Sequence, residues 1–152
     1  MPFNPPTLPQ LDNDEEMKKH FVSPTANWVI PDAVMAGESP ARASSVPDRM
    51  KSLRADFGVT TFVCLQSEVP PQTADGADFG GTKDGDEADK LPSYASAARD
   101  VEGVDAEPQF VYYGIRDEEE AESLEALDVL IEDLLKRINN GEVLYVHCKG
   151  GK

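Results

Sequence analysis

Apolar residues recur every three to four positions from Ala121 to Ile138. Leu124, Leu127, Leu130, Ile131, Leu134, Leu135 and Ile138 fall on one broad face, the spacing of an amphipathic helix laid against a sheet. Lys136 and Arg137 stand in its last turn, where the helix dipole favours cations, and Asn140-Gly141 ends it. Three denser apolar runs read as strands. Val59 to Leu65 is β-rich and nearly continuous in apolar content, the pattern of a central strand covered on both faces. Gln109 to Ile115 and Val143 to Val146 are the other two. Strand, helix, strand over 109 to 147 forms a parallel βαβ unit.

Shorter signals fill the first half. Asn27-Trp28-Val29-Ile30-Pro31 and Ala33-Val34-Met35-Ala36-Gly37 read as two strands joined at Pro31-Asp32. Trp28, the single tryptophan, reads as a packing anchor. Ser45 or Asp48 can cap a helix from about Pro47 to Asp56, with Met50, Leu53 and Phe57 on one face and Gly58 as its stop. A short helix is expected around Glu15 to Phe21 and another from Tyr94 to Val101, with Ser93 as a cap. Residues 1–24, rich in Pro and Asn at their start, read as an extended N-terminal segment before a domain at 25–152. Glu68 to Lys90 has few apolar residues besides Val69 and Phe79 and reads as a mobile insertion. The fold class that follows is α/β: a mostly parallel sheet flanked by helices.

Composition narrows the partners. The 152 residues hold 14 Lys+Arg against 29 Asp+Glu, a formal net charge of −15. Such a chain is a poor general binder of nucleic acid or anionic membrane. No stretch has the length and apolarity of a membrane span, and no signal peptide is recognisable. Two cysteines, Cys64 and Cys148, give no disulfide framework and suit a reducing compartment, with cytoplasm or nucleus as the expected location. Cys64, inside a β-rich run, reads as a buried structural thiol.

The candidate chemistry lies in His147-Cys148-Lys149-Gly150-Gly151-Lys152. A β-branched run delivers a His-Cys pair into a loop with two glycines and two lysines. Glycine lets the backbone turn tightly, and successive N–H groups in such a turn form a nest for an anion. A free cysteine is only a few per cent thiolate at pH 7; neighbouring donors and cations raise that fraction. His147 can orient the loop through backbone contacts. Other loops present similar parts. A Walker A loop also ends in Gly-Lys but needs a glycine where Val146 stands. A rhodanese-like sulfur-transfer loop also sets a cysteine on a backbone nest, though the His and the lysines fit it less well.

The same six residues resemble the start of the His-Cys-five-residues-Arg signature of cysteine-based protein tyrosine and dual-specificity phosphatases. Asn27 to Pro31 with Ala36-Gly37-Glu38-Ser39-Pro40 is similar to the opening hairpin of many atypical dual-specificity members. The resemblance implies a protein-tyrosine-phosphatase-like fold and a phosphocysteine mechanism that needs no metal or cofactor. Cys148 is then the nucleophile, His147 orients the loop, and Lys149, Gly150, Gly151 and Lys152 bind phosphate. Gly114-Ile115-Arg116-Asp117 resembles the place of the family's general acid, which makes Asp117 the candidate. On the residues alone, Asp117 with Glu118, Glu119 and Glu120 is an acidic run entering a helix. The implied substrate is a phosphorylated protein, with a phosphoinositide as the alternative suggested by the two lysines. A non-catalytic phosphate-binding module is a further alternative. The signature's arginine would stand two positions beyond Lys152, so these 152 residues are expected to turn over weakly or not at all. The family's later helices would also follow Lys152, which leads one to expect exposed apolar sheet surface.

Overall fold

A computed structural model describes residues 14–66, 91–115 and 123–151. Asp117, Glu118, Glu119, Glu120, Lys152 and the 68–90 insertion lie outside the described residues.

Six strands form one mixed, mostly parallel sheet: β1 (Phe21–Ser23), β2 (Ala26–Ile30), β3 (Val34–Gly37), β4 (Thr61–Gln66), β5 (Gln109–Ile115) and β6 (Leu144–His147). Their order is β1-β2-β3-β6-β4-β5. The pairs β1/β2 and β2/β3 are antiparallel, and β3/β6, β6/β4 and β4/β5 are parallel. The last strand in sequence is therefore central. β5 and β6 are parallel as the pattern predicts, but β4 lies between them. The expected hairpin is β2-β3; its turn is closed by Ala33 N–H donating to the Ile30 carbonyl at 3.1 Å, with Asp32 at φ 60°.

The helices are α1 (Asp14–His20), α2 (Val46–Lys51), α3 (Ala95–Arg99) and α4 (Leu124–Asn139). In α2, the Ser45 hydroxyl accepts from the Asp48 N–H at 3.3 Å, and Pro47 in the first turn has no N–H to leave unpaired. The helix runs on as a π-turn, Ser52–Asp56, which Gly58 ends at φ 73°. At α4 the Ser123 hydroxyl accepts from the Ala126 N–H at 3.1 Å. The short helix expected around Glu15 to Phe21 is α1, and within the described residues it leads directly into β1, a sheet strand, before Pro24 is reached.

Strand alternation divides the core between two faces. Phe62, Cys64, Tyr145, Met35 and Trp28 cluster with Met50 and Leu53 of the α2 region and with Tyr94, Ala95 and Ala98 of the α3 region. Phe62 is central, its ring 5.5 Å from Tyr94, 6.0 Å from Phe110 and 6.2 Å from Tyr145. Trp28 is packed edge-on to Phe57 at 6.3 Å, the anchor expected of it. Arg54 is buried here without a carboxylate on its nitrogens. Its guanidinium donates to the carbonyls of Ala98 and Ala106, each at 2.6 Å, which ties the π-turn to α3 and the loop beyond.

Thr61, Val63 and Leu144 point to the other face and are also fully buried. The central strands are thus covered, contrary to the expectation of a bare sheet. Exposed apolar residues lie instead on the outer strands (Phe21, Val29) and on α4. The broad α4 face is split: Leu130 is buried, Leu127, Leu134 and Ile138 are half-buried, and Leu124, Ile131 and Leu135 are exposed. This makes neighbouring positions unequal. Leu130→Ala, at 8 % exposure, is expected to cost about 3 kcal/mol through lost burial and a cavity. Ile131→Ala, at 47 %, is expected to stay within about 0.5 kcal/mol. Urea unfolding of both variants checks the difference; equal losses would mean the helix packs on another face.

Candidate functional site

Four parallel strands end along one edge of the sheet, and Cys148 follows the central one, β6. Open α/β sheets place ligands at that carboxyl edge, because loops diverge there and leave a crevice. Cys148 is half-buried, whereas Cys64 is fully buried within β4, and neither is in a disulfide. The two thiols therefore have separate roles, one available to reagents and one in the core.

The loop is shaped by its second glycine. Gly151 has φ 71°, in the left-handed region, and lies against the preceding edge. A β-carbon there would stand 2.6 Å from the Glu38 nitrogen and 2.8 Å from the Gly37 carbonyl carbon. No residue with a side chain fits without moving backbone. In this position the Gly151 N–H donates to Cys148 Sγ at 3.1 Å. A peptide N–H aimed at sulfur stabilises negative charge on it and offers the same donor to an incoming anion.

Residues after β3 support the loop from one side. The Ser39 N–H donates to the Lys149 carbonyl at 3.1 Å. The Tyr145 hydroxyl donates to the Glu38 carbonyl at 2.7 Å, and burial raises its pKa, so it stays protonated. Gly37 is where the two backbones come closest: a β-carbon on it would stand 2.5 Å from Tyr145 Oη and 2.6 Å from the Thr25 carbonyl oxygen.

His147 supports the loop from beneath. It is fully buried, and its Nδ1 lies 2.9 Å from the Cys148 carbonyl. A carbonyl can only accept, so Nδ1 carries the proton and Nε2 is the acceptor. Tyr94 Oη, 2.6 Å from Nε2, must then be the donor. Burial pushes the His147 pKa down to about 4, against a smaller upward pull from the Cys148 carbonyl. Burial likewise raises the pKa of Tyr94. Both groups are neutral at pH 7 and each has one orientation. The chain Tyr94, His147, Cys148 carbonyl is a fixed strut under Cys148.

The structure therefore brings together Cys148, His147, Lys149, Gly150 and Gly151, with Lys149 half-buried. Asp117 and Lys152 lie outside the described residues. Tyr94 and the Glu38-Ser39 support were not legible as site residues. Tyr94 reads in sequence only as the start of a helix, and nothing local connects it to a histidine 53 residues later. Among the described residues, no helix is long and apolar enough to cross a membrane. No family model matches the chain, nor does any curated protein or solved structure.

Proposed function

We propose that this chain is a cysteine-dependent phosphatase domain of the dual-specificity type, with a protein-tyrosine-phosphatase-like fold and a phosphocysteine intermediate. The observation that carries the reading is the Gly151 N–H directed at Cys148 Sγ at the carboxyl end of the central parallel strand. Cys148 sulfur attacks phosphorus and forms the S–P bond as the P–O bond to the leaving group breaks. Loop N–H groups and Lys149 hold the non-bridging oxygens. Asp117, assigned by resemblance alone, supplies the proton to the leaving oxygen. It then takes a proton from the water that cleaves the S–P bond, releasing phosphate and restoring the thiolate.

A phosphate-binding module without turnover is the second reading, supported by the Gly151 N–H donor, which serves binding of an anion as well as chemistry.

Alkylation by iodoacetamide at pH 7 tests the site directly, since buried Cys64 is out of reach. Cys148 is expected to react about tenfold faster than free glutathione, because the Gly151 N–H is directed at its sulfur, and inorganic phosphate is expected to protect it. Reactivity no greater than glutathione's would end the proposal. Phosphate release from a phosphotyrosine peptide and from a soluble phosphoinositide then separates the outcomes. Release from the peptide supports the protein phosphatase, release from the lipid headgroup alone replaces its substrate, and protection without release selects the binding module.

A further inference from the structure

We propose that Arg42 and the groove behind it form a second anion subsite beside the Cys148 loop, one that selects substrates carrying a carboxylate or a further phosphate next to the phosphate that reacts. The inference rests on the reading of Cys148 above and adds the specificity of that site.

The position of Arg42 is set by the same segment that supports the loop. Ser39 holds the Lys149 carbonyl through its N–H, and its hydroxyl accepts from the Ala41 N–H at 3.3 Å. That cap starts a 3₁₀ turn, Pro40–Arg42, closed by the Ala43 N–H on the Pro40 carbonyl at 3.2 Å. The turn carries Arg42 over the loop. Its Nη1 stands 3.4 Å from where a β-carbon on Gly150 would be. Because Gly150 has no side chain, nothing of its own separates the guanidinium from a ligand on that flank.

Arg42 has donors to offer. Its side chain is 44 % exposed, and among the described residues its ionic contact is Glu38 Oε2 at 3.8 Å, beyond hydrogen-bonding range. Glu38 is shared with Arg49 at 3.7 Å, and Arg49 also donates to Thr25 Oγ1 at 3.1 Å. Arg49 is thus the anchored member of the pair and Arg42 the adaptable one. Glu38 keeps a counter-charge on Arg49 when Arg42 turns its fork to a ligand.

The groove has a volume of about 540 Å³ and is lined by Ser23, Glu38, Arg42, Ser45, Asp48 and Arg49, among others. Among the described residues, no apolar side chain larger than that of Ala43 is on its walls. Hydroxyls and a planar guanidinium fork suit a carboxylate or phosphate, which arginine can grip bidentately, and offer little to an apolar ligand. Two arginines balance Glu38 and Asp48, so the groove is locally neutral in a chain of net charge −15. An anion meets less repulsion here than over the chain as a whole.

The test uses one phosphotyrosine peptide in three versions, with glutamate, phosphoserine or alanine beside the phosphotyrosine. The expected result is kcat/KM about tenfold higher for the anionic versions than for the alanine version, expressed in KM, equivalent to about 1.4 kcal/mol. Arg42→Ala is expected to bring that ratio close to one, and Arg42→Lys to retain part of it by keeping charge without the fork. The glutamate and phosphoserine versions tell which anion the subsite prefers. A ratio near one in the wild type, or an unchanged ratio in Arg42→Ala, overturns the subsite while the phosphatase reading stands. If no version is turned over, the binding module replaces the phosphatase for these 152 residues, and calorimetric titration decides the subsite alone. Tighter binding of the anionic versions that is lost in Arg42→Ala upholds it; equal binding, or none, ends it.

Discussion

Replacing Cys148 by serine is expected to lower phosphate release at least about a thousandfold, to the level of buffer alone. The reason is protonation rather than shape. A serine hydroxyl stays protonated near neutrality, and the Gly151 N–H directed at this position is a donor that cannot take its proton. That N–H can donate equally to an oxygen, so the loop should keep its form. Cys148 is half-buried at the edge of the sheet, so the exchange of sulfur for oxygen is expected to move stability by less than about 1 kcal/mol. Para-nitrophenyl phosphate hydrolysis and urea unfolding, measured on the same preparation, separate the two effects. A variant that folds normally and keeps its rate would show that sulfur does not attack phosphorus. A variant that loses its rate along with its cooperative unfolding would leave Cys148 with a structural role only.

The elements that sequence reveals are those whose signal is periodic and local. β4, β5 and α4 stand close to where apolar spacing predicts them; β4 buries nearly all of its positions, whereas β5 and α4 are buried only in part. The face of α4 was predicted too wide: spacing reports which residues could be buried, and the width of the surface opposite decides which are. β1 has no periodic signal. It is three residues followed by Pro24, and it joins the sheet edge partly because the Val22 N–H finds the Asn27 side-chain oxygen at 3.1 Å. The strand order was also hidden. β6 is central although it carries a histidine at a buried position, a polar residue that a core strand would ordinarily exclude. Its acceptance depends on Tyr94, which arrives from a distant part of the chain. The candidate site divides along the same line. The loop itself, with Cys148, its glycines and the histidine that braces it, was legible because these residues are contiguous. Tyr94, Ser39 and Arg42 were not, because what places them is packing between segments.

That buried histidine gives the second large expectation, a loss of stability on mild acidification. The His147 pKa falls from an ordinary 6.5 to about 4 on folding, chiefly through burial. Between those values the unfolded chain holds a proton on this ring that the folded chain lacks, so stability rises with pH across the window. Its contribution is complete above about pH 6.5 and lost as the pH falls to about 4, with no further loss below. The span of 2.5 units corresponds to about 3 kcal/mol. Protonation would also convert Nε2 from acceptor to donor, opposing the Tyr94 hydroxyl that now donates to it. Many carboxylates titrate over the same range, and in a chain of net charge −15 their protonation relieves repulsion and acts in the opposite direction. Comparison with His147→Gln removes that background, since the acidic groups are common to both proteins. The wild type is expected to lose about 3 kcal/mol more than the variant between pH 7 and pH 4 in urea unfolding. Parallel curves would mean that the ring reaches water and takes up its proton in the folded state. Tyr94→Phe adds a second check at pH 7, where neither neighbour is charged. It leaves a buried acceptor without its donor, expected to cost about 1–3 kcal/mol. If the strut beneath Cys148 is real, the same variant slows alkylation of the thiol as well.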